Sequence, residues 1–405
     1  MQSVESLRTD LSSIVLLRQV AEEAPLKALQ VLLKAQAEGR STAEKTALYA
    51  DFVTALYDEG CDLGLYLKDR IKRDDNRYVR MIAMGKTPPA VMQQCFEREL
   101  SIFSDLTRLD PADLLVSLEL PGSLPKFSHT PADLRKEIPE ALRNVSRTGY
   151  GMYARHGMFR VVEADAKSDY PVRIVPVASP DPIAVSQLVG YHDEREKVIQ
   201  NVKALLRGRP AANMLLVGDA GTGKSSTIKA ACNLLRDEGI RLIELRKDQL
   251  PNLPDVIAMV ADNPLKFLVF IDDLSFEADE TGFSALKAVL EGSAAAKTPN
   301  VIICATSNRR HIIKETFSAR EGDEVHRRDT IEEQTSLSAR FGLTVLFVKP
   351  DKKLYLEIVD ALAEEAGITM DKTELHRQAE VFAIAKGGRS PRQARQFVDQ
   401  LQSIL

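Results

Sequence analysis

The chain has 405 residues, with 54 Lys and Arg against 58 Asp and Glu, a net charge of -4. This balance carries no global basic excess for nucleic acid and no acidic tail, and the length allows two or three domains. The four cysteines, Cys61, Cys95, Cys232 and Cys304, lie far apart with no C-x-x-C, which argues against a disulfide framework and a zinc site.

In chain order, residues 1 to about 110 read as helical. Glu5, Arg8 and Asp10 interrupt any apolar leader, so a secretory signal is not expected. Leu7, Leu11, Ile14 and Val15 form an amphipathic stripe, and Ser41-Thr42-Ala43-Glu44 has the form of a capping box. The basic run Lys68, Arg70, Lys72 and Arg73 reads as a solvated helix end. Thr130-Pro131-Ala132-Asp133 reads as a helix start, and Phe159–Glu163 with Val172–Val177 as two strands suited to a hairpin. Ser179-Pro180-Asp181-Pro182 reads as a linker, so residues 1–180 are expected to form a mostly helical N-terminal domain with a small β segment.

From 181 the pattern alternates between strands and helices. The strand candidates are Met214–Val217, Arg241–Leu245, Phe267–Ile271, Val301–Ala305 and Leu343–Val348. Helical patterns between them predict a parallel five-stranded sheet covered on both faces over 181–349, followed by helices over 350–405. No apolar run approaches the length of a membrane span, and a cytoplasmic enzyme fits these features. Cys232 and Cys304 sit in apolar periodic segments as core residues.

Gly218-Asp219-Ala220-Gly221-Thr222-Gly223-Lys224-Ser225, followed by Ser226, reads G-x-x-x-x-G-K-S between a predicted strand and a predicted helix. Glycines there let backbone N–H groups converge on phosphate oxygens, and the helix N-terminus favours an anion. Lys224 would meet the outer phosphates of ATP, and Ser225 would ligate Mg2+. Phe267–Ile271 ends in Asp272-Asp273, the Walker B pattern, with Asp272 on the metal side and Asp273 as general base for the attacking water. Val301–Ala305 leads to Asn308, which either orients that water or merely starts a turn. Arg340, in Ser338-Ala339-Arg340-Phe341-Gly342, is either an arginine finger or a surface residue at a helix end.

Together these features resemble the AAA+ ATPase superfamily over about 183–405. The resemblance identifies Asn308 as sensor 1, Arg340 as the arginine finger, Arg392 in Gly388-Arg389-Ser390-Pro391-Arg392 as sensor 2 and 350–405 as the helical lid. It places Gly190 and Tyr191 at the adenine pocket. More narrowly, Asp272–Phe276, Ala305–His311 and Leu337–Leu343 are similar to a bacterial AAA+ family catalogued only as a domain of unknown function. The resemblance implies ATP and Mg2+ as ligands, Arg340 acting in trans within a homo-oligomeric ring or spiral, and a remodelled or loaded macromolecule, protein or nucleic acid.

One departure stands out. The superfamily usually ends Walker B in Asp-Glu, and Asp273 is one methylene shorter, a loss of reach of about 1.5 Å. The expectation is weak basal hydrolysis unless the loop turns Asp273 inward. An ATP-controlled switch or loader with slow hydrolysis therefore stands beside the motor reading, and a small-molecule P-loop kinase is a third. Arg309, Arg310, Arg320, Arg327 and Arg328, interleaved with Glu315, Glu321, Asp323 and Glu324, fit a charged subunit interface, with nucleic-acid contact as the other reading.

Overall fold

The computed structural model describes residues 4–166, 168–274, 281–291, 298–308 and 339–404. The basic cluster from Arg309 to Arg328 and its interleaved acids lie outside them, as do Ser275, Phe276, His311, Leu337 and Ser338. The chain divides into two compact units, Met1–Arg155 and His156–Leu405.

The first unit is helical, as its 3.6-residue periodicity dictates. Of the stripe, Leu7, Leu11 and Ile14 are buried against Leu26, Leu29 and Leu33 of the helix Ala24–Ala37, whereas Val15 is exposed; full burial of each such side chain contributes roughly 1.5–3 kcal/mol. The predicted capping box forms: Ser41 Oγ accepts from Glu44 N at 3.3 Å, and Ser41 N donates to Glu44 Oε2 at 3.1 Å. Helix Leu134–Leu142 begins after Asp133, as its start signal suggests. The basic run on helix Leu63–Lys72 is less solvated than expected. Arg70 lies against Glu23 at 3.1 Å, also pairs with Glu59, and these carboxylates hold its guanidinium above its ordinary value against the opposing cost of burial.

Glu99 is the most demanding residue of this unit. It is fully buried, and its carboxylate accepts backbone N–H bonds from Val15 at 2.7 Å, Leu16 at 3.1 Å and Leu17 at 2.9 Å. A buried carboxylate is tolerable only when its lone pairs are met in this way. Here they hold the corner between helices Val4–Ser12 and Arg18–Ala21.

The second unit contains, among the described residues, a seven-stranded sheet in the order β2-β1-β4-β5-β6-β3-β7. The strands are β1 Met158–Glu163, β2 Val172–Pro176, β3 Met214–Gly218, β4 Ile240–Glu244, β5 Lys266–Ile271, β6 Val301–Ser307 and β7 Leu343–Phe347. The five predicted parallel strands are present within a residue or two of their expected ends. The predicted hairpin also forms, with β1 and β2 antiparallel. Its placement differs from expectation: β1 pairs parallel to β4, Phe159 opposite Ile243, so the hairpin extends the α/β sheet and the unit begins at His156. Burial explains this, because Phe159 and Val161 are apolar and need a covered face.

Strand β6 lies between β3 and β5, with Val217 opposite Ser307 and Ile271 opposite Ala305. That register brings Gly218, Asp272 and Thr306–Asn308 to one carboxyl edge, where open α/β sheets bind ligands. Cys232 and Cys304 are buried in this core, and burial pushes the Cys232 thiol up to about 12 and Cys304 well above its usual value. The C-terminal helices Lys352–Glu365, Lys372–Ala385 and Pro391–Ile404 pack on one another through Tyr355, Ile358, Val359, Leu375 and Phe397. Among the described residues no helix is long and apolar enough to cross a membrane.

Candidate nucleotide-binding cleft

The loop Gly218–Gly223 turns β3 into the helix Lys224–Leu235. Three of its residues adopt positive φ: Gly218 at 143°, Gly221 at 78° and Gly223 at 92°. At Gly218 the need is absolute, since a Cβ would lie 1.9 Å from the carbonyl oxygen of Phe347. At Gly221 a Cβ would come within 3.1 Å of Arg392 Cβ and 3.3 Å of Ser390 Oγ. A residue larger than glycine there would press on the C-terminal helices.

The loop opens onto a cleft of about 780 Å³, a size suited to a nucleotide. Ala220 to Thr227 line its floor, Asp272, Asp273, Thr306 and Asn308 one wall, and Ile358, Leu362, Arg392 and Arg395 of the C-terminal helices another. Ile183, Leu188, Val189 and Tyr191 also line it.

Polar groups converge at the loop. Lys224 Nζ donates to the carbonyls of Gly218 and Asp219, each at 2.8 Å, and to Asn308 Oδ1 at 2.9 Å. Thr222 Oγ1 donates to the Asp219 carbonyl at 2.9 Å, which braces the loop. Asn308 Nδ2 in turn donates to Asp273 Oδ1 at 2.8 Å. Ser225 Oγ donates to Asp272 Oδ1 at 2.7 Å. Burial holds the Lys224 amine below its ordinary value, with Arg392 adding to the effect, while Asp219, Asp272 and Asp273 pull the other way.

Arg392 lines the cleft, and its backbone N–H donates to the Gly221 carbonyl at 3.2 Å. Tyr191 also lines it, with a left-handed backbone at φ 53°, its ring 5.4 Å from that of Phe347 and its hydroxyl donating to Val348 O at 2.7 Å. Of the predicted site residues, Gly218, Asp219, Gly190 and Arg340 stand outside the lining. Gly190 instead faces Leu354, where a Cβ would sit 2.8 Å from Leu354 Cδ1. Arg340 pairs with Glu291 at 2.5 Å.

Several residues escaped the sequence reading. The supposed linker at 179–182 contributes Asp181 and Pro182 to the cleft, because Asn233 Nδ2 donates to the carbonyls of Asp181 at 3.0 Å and Ile183 at 2.9 Å. Arg195 is 5% exposed, lines the cleft and bonds His192 Nδ1 at 3.1 Å, and burial lowers its guanidinium. Thr306 Oγ1 donates to Asp272 Oδ1 at 2.5 Å. A polar residue one step before the end of an otherwise apolar strand was the available signal for Thr306. Nothing local marks Asn233 or Arg195.

The donor set suits a hard cation shared with phosphate. Among the described residues, no group of three or more His, Cys, Asp or Glu could hold a metal by itself. A hydroxyl and one carboxylate side by side, Ser225 and Asp272, match Mg2+, which usually takes one or two carboxylates plus phosphate and water.

Solved structures with a similar fold include a single-residue variant of Thermotoga maritima RuvB, at 15% identity and a TM-score of 0.40 over 55% of this chain and 66% of that one. Another is the Thermotoga maritima RuvB Holliday junction branch migration motor, at 13% identity and a TM-score of 0.34 over 55% of this chain and 72% of that one. None of the curated proteins matches the chain. In the sheet, the strand before the glycine loop and the strand before the two acids flank the strand that ends in polar residues, and three C-terminal helices follow. The family model described as "Protein of unknown function (DUF815)" matches residues 160–405, and the chain belongs to that family.

Proposed function

We propose that the protein is a Mg2+-dependent ATPase of AAA+ type whose turnover drives the remodelling or loading of a macromolecular partner. The observation that carries this reading is the relay from Lys224 through Asn308 to Asp273, set beside the Ser225–Asp272 pair in one cleft. The phosphates of ATP lie on the backbone N–H groups of Gly221–Ser225, with Lys224 on the outer ones. Ser225 and Asp272 hold Mg2+, which would neutralise charge developing on the phosphate oxygens. Asp273 accepts the proton of the attacking water, and Asn308 orients it. The base lies among Ile183, Val189 and Tyr191.

Arg392 carries the state of the γ-phosphate to the helical lid. Arg340 lies outside its own cleft, which supports action in trans on a neighbouring subunit of a homo-oligomeric ring or spiral. The partner is a protein or a nucleic acid engaged outside the cleft, and the N-terminal unit is the surface that selects it. The test is ATP turnover per protomer over a range of protein concentrations with Mg2+ present. The expected rate rises with concentration as subunits complete one another's sites. A concentration-independent rate would remove Arg340 from the mechanism, and absence of ATP binding would overturn the reading altogether.

The switch reading keeps one observation of its own. The lid is tied to the loop through Arg392 N–H and Gly221 O, so nucleotide binding at the loop would alter lid position even with slow hydrolysis.

A further inference from the structure

Asp273 is a non-glycine residue at φ 51°. A left-handed backbone costs an L-residue roughly 1–2 kcal/mol, so it persists only where neighbours enforce it. One neighbour does so. Thr306, 2% exposed at the end of β6, grips three consecutive residues after β5. Its Oγ1 donates to Asp272 Oδ1 at 2.5 Å and accepts from Asp273 N at 2.9 Å, while its carbonyl accepts from Leu274 N at 2.7 Å. A hydroxyl has one proton to give and lone pairs to receive, so both side-chain bonds are made at once. Valine, its isostere without the hydroxyl, would make neither.

The grip lies where the chain departs from its superfamily. The left-handed turn brings Asp273 Oδ1 to 2.8 Å from Asn308 Nδ2, although the side chain is one methylene short of glutamate. The bonds on Asp272 fall on Oδ1, from Ser225 Oγ, Thr306 Oγ1 and Asp273 N. The same hydroxyl therefore sets the rotamer of the metal-side acid and the backbone of the base.

We infer that Thr306 is a positioning residue for hydrolysis: its hydroxyl turns the short Asp273 carboxylate inward and so compensates for the missing methylene. The inference rests on the ATPase reading above. It predicts a specific dependence. Without the hydroxyl, Asp273 relaxes away from the water; with the hydroxyl in place, a glutamate at 273 overshoots.

The experiment is a double-mutant cycle on the full chain with T306V, D273E and the combination, with T306S as the conservative control. Nucleotide affinity is read by direct binding, turnover under saturating ATP and Mg2+, and folding by thermal melting. T306V is expected to lower kcat about 10- to 100-fold, since a misplacement near 1 Å costs on the order of 10²-fold, with ATP affinity within about 2-fold. T306S should retain kcat within about 3-fold of the parent because it keeps the hydroxyl. The double variant should turn over at least about 10-fold faster than T306V, the longer side chain restoring the reach that the backbone no longer supplies. Losses that simply multiply, or a T306V chain with unchanged kcat, would overturn the inference while leaving the ATPase reading standing. A parent chain that binds ATP but shows no turnover under any concentration of protein would sink both. If T306V does not fold, T306A takes its place with the same two arms.

Discussion

Carboxylates in the two units, Glu99 buried in one and Asp272 and Asp273 exposed in the other, show how differently the chain treats acidic charge. In the helical unit Glu99 is fully enclosed, both oxygens are met by backbone N–H groups, and the Cys95 thiol adds a weak donor at 3.4 Å. In the α/β unit, among the described residues, Asp272 gathers its bonds on Oδ1 and Asp273 has one side-chain donor, Asn308. The first arrangement saturates the charge and spends it on holding a helix corner. The second leaves acceptor capacity at an open edge of the sheet. Unsaturated polar groups converging in a cleft are the physical signature of a site, whereas saturated ones are structure.

The contrast can be broken in several ways, the largest effect first. Asp273→Asn should reduce ATP turnover by about 10²- to 10⁴-fold, the range for losing a general base, with ATP affinity and melting temperature unchanged. Equal loss of affinity would make Asp273 a structural residue like Glu99. Glu99→Ala should do the reverse. It strands buried N–H groups at about 1–3 kcal/mol each before relaxation, so urea unfolding of the N-terminal unit should show a loss of roughly 3 kcal/mol.

Lys224→Ala should weaken ATP binding by roughly 10²-fold, about 2.7 kcal/mol, measured by calorimetry. The parent's affinity should also decline with pH earlier than for an exposed lysine. Only the protonated amine holds phosphate, and burial has moved its titration downward.

Asp74 gives the smallest and most diagnostic effect. It is 5% exposed, and burial raises its carboxyl to about 6, opposed by the Asn76 amide at 2.6 Å. A raised folded-state value means that the native state holds the proton more tightly than the unfolded one. Stability contributed by Asp74 should therefore be present at low pH and fall as pH rises from about 4 to about 6, then stay flat. The total is about 2–3 kcal/mol at most for a two-unit shift. Urea midpoints of the N-terminal unit at pH 5 and 7 check the sign.

Much of the α/β unit was legible because its strands are short, apolar and separated by strong punctuation. Gly239, at φ 109°, closes the P-loop helix and its trailing turn as its position suggests. The phosphate loop and the two acids are local in sequence, so they could be read directly. Asn308 could be singled out only through the resemblance, and the folded chain brings its Oδ1 to 2.9 Å from Lys224 Nζ. What could not be read is non-local. The pairing of β1 with β4 depends on which sheet edge is available, and the anchoring of residues 181–183 depends on Asn233, which lies 50 residues away from Ile183. Arg195 carries no flanking pattern, and only the folded backbone reveals its neighbours.

The hydrogen bond from Arg392 N to Gly221 O has a kinetic consequence. Any lifting of the C-terminal helices away from the phosphate loop must break it, and no side chain is involved in making it. Under the proposed function, the amide proton of Arg392 would be a clock for the escape of nucleotide. Its exchange with deuterium counts each opening, and comparing that rate with the release rate of ATP and of ADP would tell whether the residence time of the ligand is set by the gate or by the grip of the loop.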